Sequence, residues 1–164
     1  MKAAVVTDLG KLEVLDLPMP ELGPYDVLCR MCYGSTCAGT DIHLMDGQHP
    51  YPVTFPTVLG HESVGRVVEL GAKVKNYKPG DLVSRVGYPG DAKSGVFSNW
   101  GGFAEYGIAK DHWQMRRDGV EESQWTKYRV NQIIHPAIDE KTAPMIITWR
   151  ETLSYDRRIG IGAG

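Results

Sequence analysis

Over the first hundred positions apolar and polar residues alternate in short runs, and glycine or proline bounds nearly every run. Alternation with a period of two turns one face of a strand inward and the other to solvent. On this pattern Lys2 to Thr7 is a strand. Lys11 to Leu15 pairs back onto it across Asp8-Leu9-Gly10, a glycine-containing loop short enough for a hairpin. Pro18-Met19-Pro20 and Gly23-Pro24 then break the chain. Asp26 to Tyr33, Glu62 to Leu70, Leu82 to Val86 and Phe103 to Ile108 read as further strands. Gly71-Ala72, Lys78-Pro79-Gly80-Asp81 and Gly101-Gly102 punctuate them. Many short strands at this spacing predict a mostly β fold with minor α, a barrel or sandwich and not a βαβ repeat.

The last third reads differently. Residues 111–129 are polar, carry Trp113 and Trp125, and are expected to form a loop or insertion. Val130 to Ile134 is a candidate strand. Asp139 is placed to cap a helix starting near Glu140, with Pro144 in or just beyond its first turn. Met145, Ile146, Trp149 and Leu153 recur at helical spacing, which predicts an amphipathic helix ending near Ile159.

Composition narrows the class. At 164 residues the chain can bury a core without disulfides, and 42% hydrophobic with 23% charged residues excludes a disordered chain. A net charge of -2 with no basic run gives no footprint for nucleic acid. No apolar run approaches the ~20 residues that a membrane helix needs. The three cysteines, Cys29, Cys32 and Cys37, are odd in number and crowded, which argues against a disulfide framework and for a reducing cytoplasm. Cys29 and Cys32 have the spacing of a redox or zinc pair. They lie within a predicted strand, however, where they point to opposite faces, so they read as small packed thiols.

Candidate chemistry is concentrated in Cys37-Ala38-Gly39-Thr40-Asp41-Ile42-His43 and Gly60-His61-Glu62. Together these supply a thiol, two imidazoles, a hydroxyl and two carboxylates. Thiolate and imidazole are the donors that zinc prefers. His49, His112 and His135 carry no such motif and read as ordinary satisfied polar residues. Trp100 either packs or lines a cleft.

These motifs, with Pro56 to Gly65, Val67 to Gly71 and Pro79-Gly80-Asp81-Leu82-Val83 in this order, resemble the zinc-type alcohol dehydrogenase family of medium-chain dehydrogenases. The resemblance implies a GroES-like catalytic domain, a partly open β-barrel over residues 1–138. Residues 139–164 would lead towards a nucleotide-binding Rossmann domain that this sequence lacks. It implies a zinc ion and, in the parent enzyme only, NAD or NADP. The expected substrates are small alcohols, aldehydes or ketones, and the expected parent is a homo-oligomer. The separate chain is expected to be inactive. Gly160-Ile161-Gly162-Ala163-Gly164 follows a helix, so it lacks the strand-to-helix setting of a phosphate loop.

By the same resemblance His61 is a metal ligand and Glu62 lies in or beside the ligand set. Thr40 relays a proton, His43 passes it outward, and Asp41 fixes His61 through a hydrogen bond. The family spaces its ligand cysteine one residue before the Ser/Thr-Asp pair. Here that position is Ala38, while Cys37 precedes it with one residue inserted, so Cys37 is the ligand expected. At the family's remaining ligand position stands Thr148, a poor zinc ligand, with Glu151 three residues on as a substitute or a surface carboxylate. Residues 82–164 contain no cysteine, so a four-cysteine structural zinc lobe is not expected. Two rival readings follow: a metal-free quinone-reductase-like oxidoreductase, and a non-catalytic binding barrel.

Overall fold

The structure is a computed structural model and describes residues 1–161. Two four-stranded sheets carry the fold, ordered β2-β1-β4-β7 and β6-β5-β3-β8. In the first, β1 (Lys2–Asp8) and β2 (Lys11–Asp16) form the expected hairpin, with Lys2 opposite Asp16. β1 is covered on both faces. Val5 packs with Leu17, Val58 and Tyr88, whereas Val6 turns to Leu44 and Leu59. The sheet is completed by β4 (Thr57–Val58) and β7 (Phe97–Ser98), which run parallel.

The second sheet is centred on β3 (Asp26–Ser35), antiparallel to β5 (Glu62–Leu70) and to β8 (Tyr106–Lys110). β6 (Leu82–Ser84) pairs with β5 from outside. Val27, Cys29, Val67, Val83 and Ala109 share one core with Tyr77 and Val86. Cys32 packs instead beside Val64, Leu82 and Ile134, so the two thiols do serve different faces. Burial pushes the Cys29 thiol up, which keeps it inert. Ala3 of β1 bridges Ala104 just before β8, Gly87 just beyond β6 bridges Ile108 of β8, and the sheets do not close into a barrel among the described residues. The first sheet is mixed, with one parallel pair, and the second is antiparallel throughout.

Three expectations need correction. Residues 111–129 are not a loop but two short helices, α2 (His112–Arg117) and α3 (Glu122–Trp125), followed by a 3-10 turn over Thr126–Val130. They bury only His112, Met115 and Trp125, too few apolar positions to show a helical period. Val130 to Ile134 is not a strand; Ile133 makes one bridge to Val83. The C-terminal helix, here α4 (Ile146–Ile159), starts later than expected, after a 3-10 turn at Ala143–Met145. Asp139 caps the preceding turn, its carbonyl accepting from Thr142 and Ala143. Ala143 and Ile147 hold the helix to the sheet, while Trp149 and Leu153 of the predicted apolar stripe are exposed. Gly160 ends the helix in the left-handed conformation. The glycine run 160–164 lies mostly outside the described residues.

Candidate functional site

Strand register builds the site. Ser35 at the end of β3 stands opposite Glu62 at the start of β5. Cys37 lies two residues beyond one strand end and His61 one residue before the other, so the ladder delivers both to the same edge. Cys37 Sγ, a ring nitrogen of His61 and a carboxylate oxygen of Glu62 lie within 4.8 Å of one another. His61 and Glu62 are buried and Cys37 is half-buried. Gly60 sets the aim. Its φ is +96°, and a side chain there would sit 2.7 Å from the Phe103 ring. Only glycine passes beneath Phe103 in that conformation.

From Cys37 the chain enters a π-helical turn, Ala38–Ile42, that runs into α1 (His43–Met45). The Cys37 carbonyl accepts from the amides of Thr40 at 3.0 Å and Asp41 at 2.8 Å. The Asp41 carboxylate then folds back, and its Oδ2 accepts from the Cys37 amide at 2.9 Å. Asp41 thus fixes the backbone of Cys37, and the expected hydrogen bond to His61 is not formed. Asp41 Oδ1 and His61 Nδ1 are both buried without a partner. The tight turn spends the carboxylate on the amide four residues back. Thr40 is half-buried and His43 exposed on the same turn.

The opposite wall comes from α4 and two loops. Thr148 Oγ1 donates to Glu62 Oε1 at 2.5 Å, so this hydroxyl orients the carboxylate from behind. Glu151 points elsewhere, to Arg85 at 3.7 Å. Trp100 leans on His61, with ring centroids 5.2 Å apart, and the Arg85 guanidinium lies 5.9 Å from the Trp100 ring. Arg85 and Trp100 have φ of +56° and +72°, left-handed conformations that cost about 1–3 kcal/mol each in non-glycine residues. Neighbours hold them there. The Arg85 amide donates to the Ser63 carbonyl at 2.7 Å, and its carbonyl accepts from Asn131 Nδ2 at 2.9 Å. Left-handed Arg85 is also why β6 stops at Ser84, short of the expected Val86. Neither Arg85 nor its partner Asn131 carries a sequence signal for this placement.

Residues 23–118 match the family model of the alcohol dehydrogenase GroES-like domain. The chain belongs to this family. Over 83 residues it is 42% identical to an alcohol dehydrogenase from Cupriavidus necator, which covers 51% of this chain and 22% of that protein. Over 79 residues it is 47% identical to L-threonine 3-dehydrogenase from Streptomyces avermitilis, covering 47% of this chain and 23% of that protein. Among solved structures, one described as a zinc-binding dehydrogenase from Sinorhizobium meliloti, bound to NADP, superposes with a TM-score of 0.63 at 25% identity. It covers 88% of this chain and 41% of that one. An oxidoreductase fold from Mycobacterium abscessus gives a TM-score of 0.69 over 95% of this chain and 42% of that one, at 21% identity. The chain therefore spans under half the length of these relatives.

Proposed function

We propose that this chain is the catalytic domain of an NAD(P)-dependent dehydrogenase that interconverts alcohols with aldehydes or ketones, with one zinc ion held by Cys37, His61 and Glu62. The observation that carries this reading is the approach of those three donor atoms to within 4.8 Å. The donor set suits zinc: a thiolate, an imidazole with a buried unpartnered nitrogen, and a carboxylate. Three protein ligands leave the open fourth position that a catalytic site needs. Bound there, zinc supplies Lewis acidity that lowers the pKa of a substrate hydroxyl.

The chain's own residues do the rest. Asp41 fixes the Cys37 backbone through its amide. Thr148 holds the Glu62 carboxylate in place. Trp100 walls the His61 side against water. Thr40 accepts the substrate hydroxyl proton and passes its own outward, and exposed His43 carries the proton to solvent. A nicotinamide held by the parent protein would supply the hydride acceptor for the carbinol carbon.

Elemental analysis of protein produced with zinc is the test. About one ion per chain is expected, falling several-fold in Cys37→Ser and His61→Gln. A count near zero in the unaltered chain overturns this reading in favour of the metal-free quinone-reductase-like alternative.

A further inference from the structure

Beside the donor cluster lies a hollow of about 580 Å³, open to solvent and lined by Arg85, Trp100, Lys110, Lys127, Tyr128 and Asn131 among others. None of Cys37, His61 and Glu62 lines it. Trp100 is the partition, with the imidazole of His61 against its ring and the guanidinium of Arg85 near it. The acids that also line the hollow are already engaged, Glu21 with Lys93 and Asp26 with Lys110. Lys127 is left over the Tyr128 ring with no carboxylate partner among the described residues. The hollow is therefore electropositive.

Arg85 is the unusual group. Its side chain is only 15% exposed, yet among the described residues its guanidinium donates no hydrogen bond. Its one ion pair, with Glu151, is long at 3.7 Å, and Glu151 itself is largely in solvent. Burial holds the Arg85 pKa below its ordinary value, against the pull of Glu151 and Glu62. None of its nitrogens is among the buried atoms left without a partner, so water reaches these donors through the open hollow, and a ligand that fills the hollow must accept from them in water's place. The backbone is nonetheless bent into the left-handed region to hold this side chain where it is.

We infer that Arg85 is a specificity-determining residue that binds the carboxylate of a hydroxy-acid substrate, whose hydroxyl reaches the donor cluster past Trp100. The inference rests on the proposed dehydrogenase reading and narrows its substrate class. A guanidinium matches a carboxylate with two parallel hydrogen bonds, which no neutral alcohol can offer. Leaving Arg85 unpaired by a neutral substrate carries the cost of a buried unsatisfied donor, and this asymmetry makes the selection.

The test is a binding titration on the zinc-loaded 164-residue chain, followed by the Trp100 indole N–H signal in nuclear magnetic resonance. The probes are 3-hydroxypropanoate, 4-hydroxybutanoate and 6-hydroxyhexanoate, each against its primary amide. At least one acid is expected to bind about ten-fold more tightly than its amide. Arg85→Gln should abolish the preference and Arg85→Lys should keep part of it. Glu151→Gln, a change at an exposed helix position, should tighten acid binding about three-fold by removing the competing carboxylate. Equal binding of acids and amides, no binding of any acid, an undiminished preference in Arg85→Gln, or no gain in Glu151→Gln each overturns the assignment. Zinc is counted in the same samples. A chain without zinc sinks the proposed function, while the acid preference of that metal-free chain still decides the role of Arg85.

Discussion

At the scale of single residues, the site depends on hydroxyls and amides that touch no substrate. Thr148 is the clearest case, because its hydroxyl meets the Glu62 carboxylate of the cluster without joining the cluster. Its 2.5 Å hydrogen bond holds Oε1 of Glu62, whose carboxylate takes part in the cluster. Groups that orient ligands typically contribute 10–100-fold in metal affinity. Thr148→Val should therefore weaken zinc about ten-fold or more in chelator competition, and Thr148→Ser should restore most of it. An unchanged affinity in the valine variant would reduce Thr148 to packing. Cys37, His61 and Glu62 were legible because their types and spacing form a motif. The Asp41 to Cys37 bond was not, because it depends on a π-helical turn that no periodicity announces. Arg85 was least legible of all, since its partners Ser63, Asn131 and Trp100 come from three separate segments.

At the scale of elements, a valine-rich run bounded by glycines was readable to the residue, as Glu62–Leu70 shows, although its first four residues are all buried. The short helices of 111–129 were not, because their anchoring is polar. Asp111 accepts from the Gln114 amide as the cap of α2, from the amides of Lys75 and Asn76, and from Asn76 Nδ2. Asp111→Ala would orphan all four donors in a buried setting. A loss of about 2–4 kcal/mol in urea unfolding is expected, more than the ~1 kcal/mol of an ordinary cap. The next residue adds a pH term. His112 is buried against Trp113, ring centroids 4.0 Å apart, with Nδ1 unpartnered, which departs from the expectation of a satisfied histidine. Burial lowers its pKa, opposed by the Lys110 backbone and Asp111 and assisted by Arg129. The unfolded chain then binds the proton more readily than the folded one. The stabilising contribution is full above about pH 6.5 and declines as pH falls from there through the depressed value. His112→Phe should lose less stability than the unaltered chain between about pH 7.5 and pH 5, compared by urea midpoints.

At the scale of the whole molecule, the segment that leaves β6 of one sheet for β7 of the other passes close against β8, and that place also borders the site. Gly87, on that segment, bridges Ile108 of β8, and the amide of its neighbour Tyr88 donates to the Gly101 carbonyl at 2.9 Å. A methyl group at Gly87 would stand 1.7 Å from the Trp100 carbonyl oxygen, inside any tolerable contact and against the backbone of Trp100 and Gly101. Gly87→Ala can be accommodated only if the segment carrying Trp100 shifts away. Two effects should then appear together. The packing of that segment loosens, costing about 3 kcal/mol or more, a size that single substitutions reach only through mechanisms such as overpacking. Trp100 also withdraws from His61, so the indole signal moves and any hydroxy-acid preference falls. Gly39→Ala supplies the contrast, since a methyl group there meets nothing within 4 Å although it sits in the turn beside Cys37. Its midpoint should change by less than about 0.5 kcal/mol with zinc content unaltered. If Gly87→Ala unfolds at the same urea concentration as the unaltered chain, the fold does not depend on that contact, and the position of Trp100 must be set by Arg85 and His61 alone.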